Sequence, residues 1–147
     1  MLHPAPTTKI DPVLARGVLA EHHPETPNQQ AKVVLTFPNT NYQIHLRPID
    51  EITSAVGKRI LGTIHAEARR VDVVTTGGRY TEPVFGRPRR VQGSVVGRDD
   101  AKNVLVVDAG FPIHCTLTAP NQNAADFEDG AFVSFDIKDG ATLTPQA

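Results

Sequence analysis

The residues best suited to chemistry lie between Gly77 and Arg90, in the run GGRYTEPVFGRPRR. Arg79, Arg87, Arg89 and Arg90 are interleaved there with Tyr80 and Phe85. Guanidinium groups contact phosphates and aromatic rings stack on bases, the pairing that single-strand binders use. The consecutive Gly77-Gly78 lets backbone N–H groups approach an anion closely. The expectation is binding of single-stranded nucleic acid or another polyanion, with the four arginines on phosphates and Tyr80 stacking. In the plainer reading, Val84 and Phe85 pin the loop down and the arginines are solvated or paired with acids of the C-terminal third.

The distribution of charge bears on that choice. The net charge of -1 conceals ten basic against five acidic residues over 58–102, a local +5, and one lysine against six acids over 103–147, a local −5. A basic middle and an acidic end can complement each other inside one fold. They can also form opposite faces that favour an anionic ligand or head-to-tail association into a homo-oligomer.

Other chemistry finds little support. No GxxxxGK[ST], GxGxxG or GxSxG run is present, so phosphate-loop and nucleophile-elbow readings fall away. None of the six histidines stands in a metal-binding frame. His45, His65 and His114 are the one set that neighbouring strands could bring together, and outward-facing rim histidines are the plainer reading. Cys115 sits between Ile113 and Leu117 on the inward side of an alternating run, where a thiol is inert. The chain is therefore expected to be non-enzymatic and to need no cofactor.

The elements that hold these residues follow from pattern. A length of 147 residues suits one domain with a sizeable core. A lone cysteine, no signal-peptide pattern and no membrane-length apolar run make the cytoplasm the expected location and leave a membrane out. Residues 1–30 read as an N-terminal arm, a short helix and a linker. Asp11-Pro12 is a helix-start signal, Ile10, Val13, Leu14 and Val18 fall at helical spacing, and His22, His23 and Pro24 close the segment. Residues 31–147 read as a single β-barrel domain. Ala31–Phe37 and Tyr42–Pro48 make a hairpin around Pro38–Asn41, placing Val33, Leu35, Phe37, Ile44 and Leu46 inward. Ile49–Val56 is expected to form a helical turn that ends at Gly57.

Lys58–Val74 reads as one long, coiled strand with Ile60, Gly62, Ile64, Ala66 and Ala68 on its buried face, switching face after Arg70. An amphipathic helix over 64–74 is the competing reading. Arg90–Val96, Val104–Gly110, Phe111–Ala119 and Ala131–Ile137 follow as strands. Pro120–Asp126 has room for a single helical turn, and Asp139-Gly140 signals a hairpin.

From Lys58 to Pro145 the pattern resembles the OB fold. A long first strand carries an early glycine, Gly62; a hairpin leads into RVQGSVV; a third strand is VLVVDA; and a closing hairpin is FVSFDIKDGATL. The resemblance implies a small, mainly β barrel whose loop between the first two strands flanks a binding face. It gives Ala31–Arg47 no counterpart.

Overall fold

The computed structural model describes residues 11–146, so the expected arm over residues 1–9 lies outside the described residues. The expected helix is not formed. Asp11 accepts a hydrogen bond on its side chain from the Val13 N–H at 3.0 Å and on its carbonyl from the Leu14 N–H at 3.2 Å. That makes one turn, after which the chain runs straight as β1, Ala15–His23. Ala15, Gly17 and Leu19 alternate inward. A helix here would carry Gly17 in its interior and would be too short to stand alone. As a strand, the same residues pair their backbone with two neighbours.

The remaining strands are β2 Lys32–Thr36, β3 Gln43–Pro48, β4 Arg59–Ala68, β5 Asp72–Val73, β6 Tyr80–Glu82, β7 Phe85–Gly86, β8 Arg90–Asp99, β9 Val104–Asp108, β10 Pro112–Leu117, β11 Phe132–Asp136 and β12 Thr142–Pro145. Helical structure among the described residues is a single 3-10 turn, Ala124–Asp126, within the segment expected to hold one. Ile49–Val56 forms an irregular connection rather than a helical turn, closing at Gly57 with φ +92. Residues 64–68 are strand, not helix.

A first closed five-stranded barrel is built from β1, β2, β3, β12 and β4. β1–β2–β3 is an antiparallel meander, β3 runs parallel to β12, β12 is antiparallel to β4, and β4 returns to β1. Ala31–Arg47, without a place in the minimal pattern, supplies two of these strands. A second ring has the same order of pairing. β8–β9–β10 is the meander, β10 runs parallel to β4, and β11 pairs with β8 on one side. On its other side β11 closes onto β5 and, through Ile137, onto Ala68 of β4.

Two expected hairpins are therefore absent. β4 and β8 are not partners, because both edges of β4 are taken. Gly62 pairs with both Ala15 and Pro145, and His65 with both His114 and Thr142. One edge thus carries β1 then β10, and the other carries β12 then Ile137. Nor do β11 and β12 fold back on each other. They run along the same edge of β4, and Asp139-Gly140 is the point where the chain steps from the second ring to the first.

The rings are related by an internal two-fold repeat. Val18 and Leu19 pair with Thr36 and Leu35 as Ser94 and Val95 pair with Asp108 and Val107, and both first strands bulge at the next position. The Gly57 N–H meets the Leu19 carbonyl at 2.7 Å, and the Gly130 N–H meets the Val95 carbonyl at 2.8 Å. Ile64 faces Leu143 as Ile137 faces Ala68. Each half of the chain thus lends the end of its long strand to the other half's ring. One continuous core results, with Leu19, Leu35, Ile44 and Ile64 in the first ring and Val95, Leu105, Ile113 and Phe135 in the second.

Candidate functional site

The arginine-rich segment is a strap built into both rings. β6 lies antiparallel on β8, and β7 lies parallel on β3. Thr81 fixes the crossing: its N–H donates to the Tyr42 hydroxyl at 3.0 Å, and its buried Oγ1 donates to the Ala109 carbonyl at 3.2 Å. The Gln43 N–H donates to the Val84 carbonyl at 2.8 Å. Gly77 adopts φ +101 with Gln92 packed where a Cβ would stand, and Gln92 Nε2 donates to the Gly78 carbonyl at 2.8 Å. The paired glycines serve this tight turn.

The strap's charges meet the acidic half of the chain directly. Arg79 pairs with Asp108, Arg87 with Asp139 at 2.8 Å and Arg90 with Asp136 at 2.8 Å. Arg90 also donates to Ser134 Oγ at 2.8 Å. The Tyr80 hydroxyl accepts from Arg90 Nε, and this bond, followed by that to Asp136, holds the Arg90 guanidinium even more firmly charged than usual. Arg89 is exposed and meets no carboxylate among the described residues. The sequence signalled these pairings only as opposite net charges; it could not single out Asp108, Asp136 and Asp139, which are brought to the strap by nonlocal pairing.

The Arg87–Asp139 and Arg90–Asp136 pairs are solvent-exposed and the Arg79–Asp108 pair is part-buried on its carboxylate side; exposed bridges contribute about 0–1 kcal/mol each. The strap can therefore exchange carboxylate for another anion at little cost. Of its aromatics, Tyr80 is half-buried with its hydroxyl toward Gln92 and Arg90. Phe85 is 60% exposed and stands edge-on to His45, ring centroids 4.9 Å apart.

The three candidate histidines do not converge. His65 and His114 are cross-strand neighbours on the outer face of β4 and β10. His65 shares a 2.7 Å hydrogen bond with the Thr116 hydroxyl, and His114 Nε2 donates to the Val13 carbonyl at 2.7 Å. Burial, then the neighbouring His114, lowers the His65 pKa below the ordinary imidazole value. His45 occupies the equivalent of His114 in the other ring, where burial and then Lys32 lower its pKa. Among the described residues no group of three or more His, Cys, Asp or Glu side chains is placed to hold a metal ion. Cys115 is fully buried, and desolvation pushes its thiol pKa up. No helix among the described residues is long and apolar enough to cross a membrane.

Comparison of the chain with protein-family models, with curated proteins and with solved structures finds no match.

Proposed function

We propose that the protein is a non-enzymatic binding module that holds single-stranded nucleic acid, or a polyanion of like charge spacing, along its arginine strap. The observation that carries this reading is the strap's surface. Arg79, Arg87 and Arg89 are exposed, Arg90 is half-buried beside them, and the exposed ring of Phe85 stands between Arg79 and Arg87 in the chain. Asp136 and Asp139, which face Arg90 and Arg87, are themselves exposed to water, so phosphates compete for the same guanidiniums. Phe85 is better placed than Tyr80 to stack on a base. The two-ring architecture supports the reading further. In the first ring a three-strand meander has its third strand parallel to the fifth, β12, and its fourth strand, β4, bridging fifth and first, a Greek-key order of the OB type. The second ring repeats the pairing with β4, which precedes its meander in the chain, in the fifth place. Barrels of that type present oligonucleotide-binding surfaces.

Fluorescence anisotropy of a labelled single-stranded oligonucleotide tests this. Affinity is expected at micromolar protein and low salt, falling as salt rises, with a log–log slope of about 0.7 for each phosphate neutralised. Absence of binding under these conditions would reject it. A structural or oligomerisation role without nucleic acid is the second reading, favoured by the three ion pairs joining the strap to the C-terminal half. Its signature would be a loss of stability or a change in sedimentation, with no oligonucleotide binding, when the four arginines are replaced.

A further inference from the structure

The internal repeat exposes a difference on the outer faces of the two first strands. In the second ring, Gln92 is covered: Tyr80 is its cross-strand partner, and its amide is bonded to Gly78. Its equivalent in the first ring is Arg16, one residue before Gly17 as Gln92 is one before Gly93. No segment among the described residues lies over Arg16. Instead a cleft of about 570 Å3 opens there, between β1, β4, the Thr53-Ser54 connection and the end of β12.

The cleft's chemistry is specific. Arg16 pairs with Leu61 and Val18 with Arg59, so the two arginines sit diagonally on one face, with backbone positions ~7–8 Å apart. Both are exposed, and neither meets a carboxylate among the described residues. Between them, Val18, Leu61 and Pro38 make an apolar floor, and Thr53 and Ser54 supply hydroxyls at the rim. The cleft beside His65 and His114 contrasts with it. There His65 is bonded to Thr116, His114 to Val13, and Arg98 pairs with Asp100.

We propose that the cleft between Arg16 and Arg59 binds a nucleoside monophosphate. Two guanidinium forks match a phosphate dianion. The apolar floor takes the planar base, and the volume falls within the range of small-ligand sites. This site is separate from the strap and stands or falls independently of it.

The test is calorimetric titration of the full chain with AMP, adenosine and inorganic phosphate. AMP is expected to bind saturably with Kd below about 1 mM, and adenosine and phosphate each at least roughly tenfold more weakly. Arg16→Gln and Arg59→Gln should each weaken AMP by roughly tenfold or more, as loss of a charged hydrogen-bond donor does. Arg87→Gln and Arg89→Gln, which alter only the strap, should leave AMP binding unchanged. Both cleft substitutions are at exposed positions and should leave the circular dichroism spectrum intact. Absence of saturable AMP binding up to about 10 mM, or an AMP affinity in Arg16→Gln or Arg59→Gln unchanged from that of the native chain, would overturn the proposal. So would inorganic phosphate binding as tightly as AMP, since the apolar floor would then contribute nothing.

Discussion

The first ring, β1–β2–β3–β12–β4, and the second, β8–β9–β10–β4–β11, share their order of pairing, the bulge in their first strand and the glycine turn before the strand in their fourth place. They differ in what is laid over them. The second is overlaid by β6 along β8, by the Asp11–Leu14 turn that reaches His114, and by Phe127, which packs into the core ahead of Gly130. In the first, Ser54 stands the same three residues ahead of Gly57, and a cleft opens beside Arg16. The backbone plan is thus indifferent to function. The two proposed binding sites rest instead on the few positions where Arg16 replaces Gln92 and Arg59 replaces Phe132, and on a strap that belongs to neither repeat.

The likeness of the rings is most severely tested in the core. Ile44 and Ile113 are register equivalents, each fully buried. Truncation of either to alanine is expected to cost about 2–5 kcal/mol. Because β4 belongs to both rings, either variant should still unfold in one transition monitored by circular dichroism. Two separate transitions would show that the rings are independent.

Next come the paired glycines. A Cβ at Gly93 would run into the Asp108 carbonyl oxygen and lie 3.1 Å from the Ala109 Cα, both of them backbone atoms. At Gly17 the approach is less close: the nearest atoms are the Thr36 carbonyl oxygen at 2.9 Å and the Phe37 ring at 3.2 Å. Gly93→Ala is expected to destabilise by about 3 kcal/mol and Gly17→Ala by about 1 kcal/mol, on urea denaturation. Equal costs would mean that the two first strands are held at the same distance from their partners after all.

A smaller effect belongs to the strap. Asp139→Asn removes an exposed pair and should lower stability by less than about 1 kcal/mol. The same change frees Arg87, so oligonucleotide affinity should rise; a fall would place Asp139 in the ligand's support rather than in competition with it.

The smallest concerns pH. The folded-state pKa of His65 lies below 6.5, so folding favours its neutral form and the unfolded chain binds more protons as pH falls. Its contribution is complete above pH 6.5 and is lost as pH falls below that value toward the folded pKa. His65→Gln should flatten the decline in thermal midpoint between neutral and mildly acidic pH, and an unchanged decline would assign it to other groups.

Much of the barrel was legible because its inward residues alternate plainly: Val33, Leu35 and Phe37, then Ile60, Ile64, Ala66 and Ala68, and Ile113, Cys115 and Leu117 are all buried as their spacing implies. β1 was not legible, since its inward residues Ala15 and Gly17 are small and Val18, with Val13 and Leu14 of the turn before it, mimics a helical stripe. Pairing was the other failure. Hairpins are the local inference from a turn such as Asp139-Gly140, whereas β4 and the 132–145 segment exchange partners across the repeat. The repeat itself survives in sequence only at scattered positions, among them Ile44-His45 and Ile113-His114, Gly17 and Gly93, Val34 and Val106, Gly57 and Gly130, and Ile64 and Ile137. The strap's residues were found from composition, but their ion pairs depend on that exchange of strands. The same holds for Arg16 and Arg59, distant in the chain and adjacent only through β1 and β4.

The most direct test of the binding account compares the salt dependence of single-stranded oligonucleotide binding in the native chain and in a variant with Arg79, Arg87, Arg89 and Arg90 replaced by glutamine. The account predicts measurable affinity at low salt and a log–log slope shallower by about 3 in the variant, since each arginine neutralises one phosphate. Identical slopes, or no binding by the native chain, would contradict it.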